Sequence, residues 1–267
     1  MDYDADAVAA QEHQSWQRSA DLYIENMAPM TATSGQVPIL AEAGRIDGHS
    51  AILELGCGTG DVAVQLADFG GRVVGTDFAE NMIKIAAERF PQLEFCVADA
   101  ENVPYEDDEF DVVVSNYTAH HFARPQTVFV EANRVLKPGG RLVVIMPIQA
   151  EQKCFGAVFA SAREEIPPED VPGGPLLDVS DPREVGDMIE AAGFTAVVAD
   201  KRVKPTRLDA IDLLLKTGWT ILGLDDFPQD VQERIRANTI KRAAPYKQPD
   251  GSYDFPDVII VASGEKA

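Results

Sequence analysis

Short apolar runs alternate with amphipathic stretches through the middle of the chain. Five runs have the length and apolar character of buried strands: Ala51–Leu55, Arg72–Thr76, Leu93–Ala98, Phe110–Ser115 and Arg141–Met146. Between them, apolar residues recur at helical spacing over Val62–Asp68, Asn81–Phe90 and Gln126–Leu136. Pro91 and Pro138 follow two of these stretches, where helices cannot continue. The alternation predicts an α/β fold, a parallel sheet with helices on both faces.

The pattern changes after the fifth predicted strand. Residues 150–180 are rich in proline and glycine, most of all at 167–175, and we expect a loop or lid there. Asp181 and Pro182 then supply an N-cap and a first helical position for a helix that ends at Ala192. The remaining predicted elements are a sixth strand over Phe194–Ala199, helices within 207–244 and a seventh strand over Val258–Ala262.

Composition narrows the classes of partner. The 267 residues carry a formal net charge of −21, which repels phosphate backbones and anionic lipid, so we expect neither nucleic acid nor membrane as a partner. The densest basic cluster is short: Lys201, Arg202, Lys204 and Arg207. The acidic start, Met1–Asp6, lacks the basic and apolar regions of a signal peptide. These features predict a cytoplasmic protein, and heavy use of aspartate is also typical of a salt-rich cytoplasm.

The three cysteines are Cys57, Cys96 and Cys154. They form no C-x-x-C pair and do not stand at metal-ligand spacing with the four histidines. We therefore expect reduced thiols and no metal site.

A glycine-rich loop, Leu53-Glu-Leu-Gly-Cys-Gly-Thr-Gly60, joins the first predicted strand to its helix. Its glycines let the backbone approach a ligand closely. A dinucleotide-binding loop needs a glycine three residues after its second glycine, where this chain has Asp61. A carboxylate there would also oppose a pyrophosphate at the N-terminus of the helix. The loop therefore disfavours a dinucleotide.

Acidic residues stand at the carboxyl ends of three predicted strands, where open α/β sheets bind their ligands. Glu54 lies just before the loop, Asp77 follows the second strand and Asp99 follows the third. They favour a ligand of net positive charge such as S-adenosylmethionine, whose sulfonium and ammonium outnumber its carboxylate. Asp77 would accept hydrogen bonds from both ribose hydroxyls, and Asp99 would meet the adenine amino group.

Each of these residues has a structural alternative. Asp77 and Asp99 also suit the N-cap of the segment that follows them. Glu54 either steers the ammonium through water or holds the loop by hydrogen bonds to its backbone. Phe78 and Met82 are placed to flank the ribose and adenine, and Met82 equally suits core packing.

Five motifs occur in order along the chain: Glu54–Gly60, Val74–Asp77, Val97–Ala100, Phe110–Asn116 and Arg134–Gly140. Together they resemble the class I S-adenosylmethionine-dependent methyltransferases, of the type that includes enzymes of ubiquinone and menaquinone biosynthesis and many natural-product methyltransferases. The resemblance implies a Rossmann-like, seven-stranded, mostly parallel sheet with helices on both faces and an antiparallel last strand. We also expect a helical lid from the N-terminus and from the insert between the sixth and seventh strands, although this insert and the segment after the fifth strand diverge from the family.

The resemblance also implies the contacts of the cofactor, S-adenosyl-L-methionine: Gly56, Cys57, Gly58, Asp77, Asp99, Ala100 and Asn116. We add Glu54, Gly60, Phe78 and Met82 to this candidate set. We also expect three parts of one domain. These are an N-terminal helical cap over 1–47, a cofactor-binding core over 48–147, and a lid segment with the last strands and a helical insert over 148–267.

Methyl transfer from a sulfonium requires alignment of nucleophile, methyl group and sulfur, exclusion of water, and removal of a proton where the acceptor needs it. The segment Asn116–His121 follows the fourth predicted strand, beside the expected methyl position. His120 or His121 would act there as a general base, or both would only order the loop. Tyr117 is a candidate contact for substrate or cofactor.

Three segments offer apolar side chains for a lid, although their helical spacing also suits core packing: Trp16, Tyr23, Met27 and Met30; Phe155 and Phe159; Leu214, Trp219 and Leu222. We take Tyr23 and Trp219 as candidate substrate contacts. An apolar pocket predicts a small organic acceptor, methylated at O, N or C. Two rival hypotheses are a cofactor-binding protein that transfers no methyl group and a different reaction, such as a cyclisation.

Overall fold

The computed structural model describes residues 4–26, 28, 35–69, 71–167 and 178–267. Its helices are α1 Ala5–Asn26, α2 Gln36–Gly44, α3 Asp61–Ala67, α4 Glu80–Arg89, α5 Pro125–Val135, α6 Cys154–Glu165, α7 Pro182–Ala191, α8 Ile211–Leu222 and α9 Gln229–Ala243. Its strands are β1 Ala51–Leu55, β2 Arg72–Asp77, β3 Glu94–Val97, β4 Phe110–Asn116, β5 Leu136–Pro147, β6 Phe194–Leu208 and β7 Tyr253–Lys266. Met27, Met30 and residues 168–177 of the predicted lid lie outside the described residues.

Seven strands form one sheet in the order β3-β2-β1-β4-β5-β7-β6. Strands β1 to β5 pair in parallel, whereas β7 runs antiparallel to both of its neighbours, β5 and β6. The predicted mostly parallel sheet and its antiparallel last strand are confirmed. The chain order reverses between β1 and β4, so the carboxyl ends of these strands flank the crevice in which such sheets bind ligands.

Local signals in the sequence account for several element boundaries. The segment Lys137–Gly140, near the start of β5, interrupts the ladder between β4 and β5, because Phe110 pairs with Leu136 but Val112 pairs with Arg141. Helix α7 begins with a capping box, in which the Asp181 carboxylate accepts the Arg183 amide and the Glu184 carboxylate accepts the Asp181 amide. Such caps satisfy amides that a helix leaves unpaired at its start.

Apolar side chains cover both faces of the sheet. On one face the strands pack against α5 and α7, with Phe129 and Ile189 fully or almost fully buried. On the other face they pack against α2 and α3, through Leu40 and Leu66. Central strands buried on both faces are nearly continuous apolar runs, which explains why β1 and β4 are visible in the sequence.

A separate apolar cluster joins α6, α8 and α9 to the ends of β6 and β7 that extend beyond the parallel strands. The prediction of a loop over 150–180 is wrong at Cys154–Glu165, which is helical. Its buried positions, Cys154, Ala157, Val158, Ser161 and Ala162, follow the spacing of one helical face. The prediction gave more weight to the prolines and glycines at 167–175, which favour a loop, than to this helical periodicity before them.

Strands β6 and β7 form a long antiparallel ribbon that pairs from Phe194 and Lys266 to Leu208 and Tyr253. The predicted strands covered only part of it. Strand β6 lies at an edge of the sheet, and most of its residues are exposed or half-buried. Pro205 interrupts its apolar character, and proline is tolerated in edge strands.

Among the described residues, no helix combines the length and the apolarity needed to cross a membrane.

Candidate cofactor and substrate site

The glycine loop between β1 and α3 holds its backbone in the left-handed region at three positions. Gly56, Gly58 and Gly60 have φ values of 70°, 52° and 82°, which residues with a Cβ adopt only at a cost. A Cβ on Gly56 would also lie 2.1 Å from Cγ2 of Thr118. The Thr118 hydroxyl donates a hydrogen bond of 3.0 Å to the Gly56 carbonyl, so the loop is held against the segment after β4.

Asp77 ends β2 and is 8% exposed. Its Oδ2 accepts the Gly58 amide at 3.0 Å, and its Oδ1 accepts the Ala79 amide at 2.9 Å. Burial raises the pKa of Asp77, while the two amides and the nearby His121 and His13 oppose that rise. The carboxylate therefore fixes the loop and the start of α4 at once, and each oxygen keeps a second lone pair for a ligand.

Glu54 lies behind the loop and is 2% exposed. Its Oε2 has no hydrogen-bond partner among the described residues. Burial, reinforced by the charges of Asp61 and Asp77, raises the pKa of Glu54 to about 8. Cys57 is buried beside it, and its amide donates to the Thr76 carbonyl at 2.9 Å.

A cavity of about 430 Å³ opens at the carboxyl ends of the parallel strands, within the ~300–1,000 Å³ typical of small-molecule sites. Most of the predicted site residues line it: Tyr23, Gly56, Gly58, Asp77, Phe78, Met82, Asp99, Ala100, Asn116, Tyr117, His120 and His121. Glu54, Cys57, Gly60 and Trp219 do not line it. The structure thus brings together residues that are far apart in the sequence.

The charged side chains that line the cavity are acidic. They are Glu12, Asp77, Asp99 and Glu101, and no lysine or arginine lines it within the described part of the chain. Asp99 also accepts the Glu101 amide at 2.9 Å, so its predicted alternative as a turn-capping residue is present alongside its place in the wall. Such a wall favours a cationic ligand.

Met82 and Phe78 lie where α1 crosses the start of α4. Met82 is 2% exposed and packs in a small cluster with Trp16, Tyr23 and Phe78. The Tyr23 ring lies 3.6 Å from the position of a Cβ on Gly58. Helix α1 therefore covers the glycine loop, and Met82 combines core packing with a place in the cavity wall.

The two histidines after β4 have different surroundings. His120 is buried, and its Nδ1 has no hydrogen-bond partner among the described residues. Burial, with a smaller effect of His121, lowers the pKa of His120 well below its usual range. His121 lies with its Nδ1 2.9 Å from Oε2 of Glu12. The ring centroids of the pair are 4.2 Å apart.

Tyr117 stands at the turn out of β4 with a φ of 53°. Lys204 places its Nζ 5.3 Å from the centre of the Tyr117 ring, and burial lowers the pKa of Lys204 to about 8. Burial raises the pKa of Tyr117, with a further contribution from Asp257. The phenol therefore keeps its proton at neutral pH.

Sequence reasoning missed Glu12, which α1 places in the cavity wall. Its neighbours on the helix give a signal that could have found it, because Glu12, Trp16 and Tyr23 share one helical face. The Trp16 indole donates to Oε2 of Glu12 at 3.1 Å. A glutamate four residues before a tryptophan predicted to lie in the lid would face the same site, and a buried carboxylate needs hydrogen-bond donors of this kind.

The predicted lid residues divide into two groups. Phe155 and Phe159 of α6 line the cavity. Leu214 and Leu222 of α8 are buried in the cluster between α6, α8 and α9, and Trp219 packs against that cluster. The Trp219 indole donates to Gln232 at 3.4 Å. The apolar end of the cavity is therefore built by α6 and not, among the described residues, by Trp219.

Comparison with known proteins agrees with this geometry. Residues 53–144 match the family described as "Methyltransferase domain". The chain is 35% identical over 179 residues to a demethylmenaquinone methyltransferase of Lactococcus lactis, an alignment that covers 57% of this chain and 68% of the relative. It is 40% identical over 96 residues to the demethylmenaquinone methyltransferase of Clavibacter sepedonicus, covering 35% of this chain and 39% of that relative.

Two solved structures share the fold at low sequence identity. The YcgJ protein of Bacillus subtilis is 20% identical, with a TM-score of 0.60 over 86% of this chain and 97% of that one. An S-adenosylmethionine-dependent methyltransferase of Aquifex aeolicus is 16% identical, with a TM-score of 0.56 over 94% of this chain and 98% of that one. The chain belongs to the class I S-adenosylmethionine-dependent methyltransferases, a class of enzymes, as the ordered motifs predicted.

Proposed function

We propose that this methyltransferase binds S-adenosyl-L-methionine in the cavity and methylates a small organic molecule there. The observation that carries the proposal is the acidic cavity at the carboxyl ends of β1, β2 and β4, without a described lysine or arginine in its wall. A sulfonium donor is cationic at its reacting end, and the wall matches that charge.

The residues of the wall suit the two halves of such a ligand. Asp77 would accept the ribose hydroxyls, and Asp99 with Ala100 would meet the adenine. Gly56, Gly58 and Asn116 would hold the methionine part, because the left-handed loop exposes backbone where a side chain would obstruct it. When bound, S-adenosyl-L-methionine would supply an electrophilic methyl group, while the chain aligns the acceptor and excludes water.

The remainder of the cavity favours a small acceptor. Phe122, Phe155 and Phe159 line it together with polar Gln149 and Gln152, a mixture typical of small-molecule sites. A relative that aligns over 179 residues is named as a methyltransferase of demethylmenaquinone, which is itself a small organic acceptor. The net charge of −21 supports neither nucleic acid nor a membrane surface as the acceptor.

The division into a cap over 1–47, a core over 48–147 and a lid region over 148–267 stays part of this proposal. So does a cytoplasmic location, which the three free cysteines, two of them buried, support.

Calorimetric titration with S-adenosylhomocysteine and transfer of a radiolabelled methyl group to a panel of small phenols, amines and quinols would test the proposal. Micromolar binding and a methylated small product are expected. Transfer only to protein or RNA would contradict the acceptor class. Binding with a changed product that has gained no methyl group would favour the rival hypothesis of another reaction, such as a cyclisation.

A further inference from the structure

Helix α1 brings a carboxylate into direct contact with a histidine 109 residues away in the chain. Oε2 of Glu12 lies 2.9 Å from Nδ1 of His121 and accepts the Trp16 indole N–H at 3.1 Å. Glu12 is 8% exposed, and the Trp16 ring stands edge-on to His121, with centroids 5.1 Å apart. The contact is therefore enclosed and held from two sides.

This contact fixes the protonation of the imidazole ring. A carboxylate only accepts hydrogen bonds, so the bonded nitrogen of His121 must carry the proton. The other nitrogen, Nε2, then has a free lone pair in the neutral ring. Because His121 lines the cavity, that lone pair belongs to a group that a bound acceptor can reach.

His120 lacks such support. It is buried, its Nδ1 has no partner among the described residues, and burial lowers its pKa well below the usual range. A ring that stays neutral and has no carboxylate beside it is poorly suited to hold a proton through a reaction. The adjacent histidines therefore differ in the property that a general base needs.

We propose that Glu12 is a positioning residue for His121, and that Nε2 of His121 accepts the proton of the methyl acceptor. The inference rests on the proposed methyl transfer and deepens it, because it specifies an acceptor with an ionisable O–H or N–H group. As the acceptor oxygen or nitrogen forms its bond to the methyl carbon, the carbon–sulfur bond of the sulfonium donor breaks and its electron pair stays on sulfur. The acceptor proton passes to His121, whose cationic ring Glu12 stabilises.

The groups that face His121 define what a pH measurement would report. Glu12 and Trp16 approach from α1, and His120 lies beside it in the same turn. Asp77, at the end of β2, also senses the charge of His121. Removing the Glu12 charge leaves Asp77 as the nearby carboxylate, so the protonated ring loses the carboxylate that it contacts directly.

The first test is a nitrogen-15 NMR measurement of the His121 ring in protein saturated with S-adenosylhomocysteine. We expect the Nδ1–H form in the wild type. Glu12→Ala should give a mixture of the two neutral forms. Glu80→Gln is the matched control. Glu80, an exposed residue of α4, makes a looser contact with a histidine of α1, 3.8 Å from Nε2 of His13, so this variant should leave the His121 signals in place.

The second test measures kcat, KM and their pH dependence with whichever phenol or amine of the panel is methylated. Glu12→Gln keeps the shape of the side chain and removes its charge. We expect kcat to fall at least tenfold, KM for the donor to stay within twofold, and the acid limb of kcat/KM to move to lower pH. An unmoved limb and unchanged kcat would overturn the proposal, as would an Nε2–H form of His121 in the wild type.

The two tests separate failure of this inference from failure of the proposed function. If S-adenosylhomocysteine binds and no panel compound is methylated, the acceptor class is contradicted while the NMR measurement still decides the role of Glu12. If the Nδ1–H form is absent although methyl transfer occurs, the enzyme stands and the positioning role is overturned. Circular dichroism of each variant verifies that α1 and the sheet remain folded.

Discussion

The amide nitrogen of Gly58 lies 3.0 Å from Oδ2 of Asp77 and donates a hydrogen bond to it. The glycine loop and the carboxylate after β2 are therefore directly linked, although the sequence presents them as two separate motifs. One side chain shapes the loop and also stands ready to bind a ligand, so structural and binding roles cannot be assigned to different residues here.

Asp77→Ala should abolish tight binding of S-adenosylhomocysteine. Hydrogen bonds to a charged group contribute about 1.5–3 kcal/mol each. Loss of the two hydrogen bonds between Asp77 and the ribose hydroxyls therefore predicts a fall in affinity of about a hundredfold or more. The variant also leaves the Gly58 and Ala79 amides unpaired, which should lower its melting temperature. Calorimetry and thermal unfolding measure both effects.

Asp68→Asn provides the control for that comparison, since Asp68 is an exposed residue just after α3. Its affinity and melting temperature should match the wild type. Wild-type affinity in Asp77→Ala would exclude a direct contact between Asp77 and the ligand.

Gly56→Ala should destabilise the protein by more than Gly139→Ala. Both glycines have positive φ, at 70° and 79°, and an L residue at such a position costs about 1–2 kcal/mol. Only at Gly56 would the new Cβ collide with Thr118, at 2.1 Å, while at Gly139 nothing lies within 4 Å. Urea unfolding should show the larger loss for Gly56→Ala, and equal losses would refute the close approach of Thr118.

Much of the core could be predicted because its signals are local. The bounds of β1, Ala51–Leu55, agree with the prediction, since an apolar run ends abruptly at a glycine. The predicted N-cap at Asp181 is also present in the structure. It could be predicted because a capping box is a pattern of residues that are close together in the sequence. The family motifs lie in this part of the chain, and four of the five contribute residues to one cavity: Gly56, Gly58, Asp77, Asp99, Ala100 and Asn116.

The parts that could not be predicted depend on contacts between distant segments. The bond between Glu12 and His121 spans 109 residues, and no local pattern specifies such a pair. The full length of β6 could not be predicted because most residues of this edge strand are exposed or half-buried, so no long apolar run marks it. Trp219 has the size and type of a pocket residue, yet only tertiary packing decides whether its side chain reaches the cavity, and no described residue of α8 lines it.

Stability should depend on pH through Glu54. Burial raises the pKa of this carboxyl from 4.5 to about 8, so between these values the folded state holds a proton that the unfolded state has lost. The folded state binds more protons, and its stability must therefore fall as pH rises through this window, by up to about 1.4 kcal/mol per pH unit. Urea unfolding between pH 5 and pH 8 measures the slope.

Glu54→Gln isolates the contribution of that group, because glutamine stays neutral across the window. Its unfolding free energy should vary less with pH than that of the wild type, and the difference between them should grow toward pH 8. Glu190→Gln, on the exposed side of α7, should keep the wild-type slope. If Glu54→Gln keeps it too, Glu54 is ionised in the folded protein.

Tyr23 and Trp219, both taken from the sequence as substrate contacts, should behave differently when replaced by leucine. Tyr23 lines the cavity and approaches the glycine loop, so Tyr23→Leu should weaken S-adenosylhomocysteine binding about tenfold, or about 1.4 kcal/mol. Trp219 packs against the cluster of α6, α8 and α9, with Arg236 5.2 Å from its ring centre. Trp219→Leu should therefore cost about 0.5–3 kcal/mol of stability and leave that affinity within twofold. A loss of affinity in Trp219→Leu without a loss of stability would restore Trp219 as a site residue.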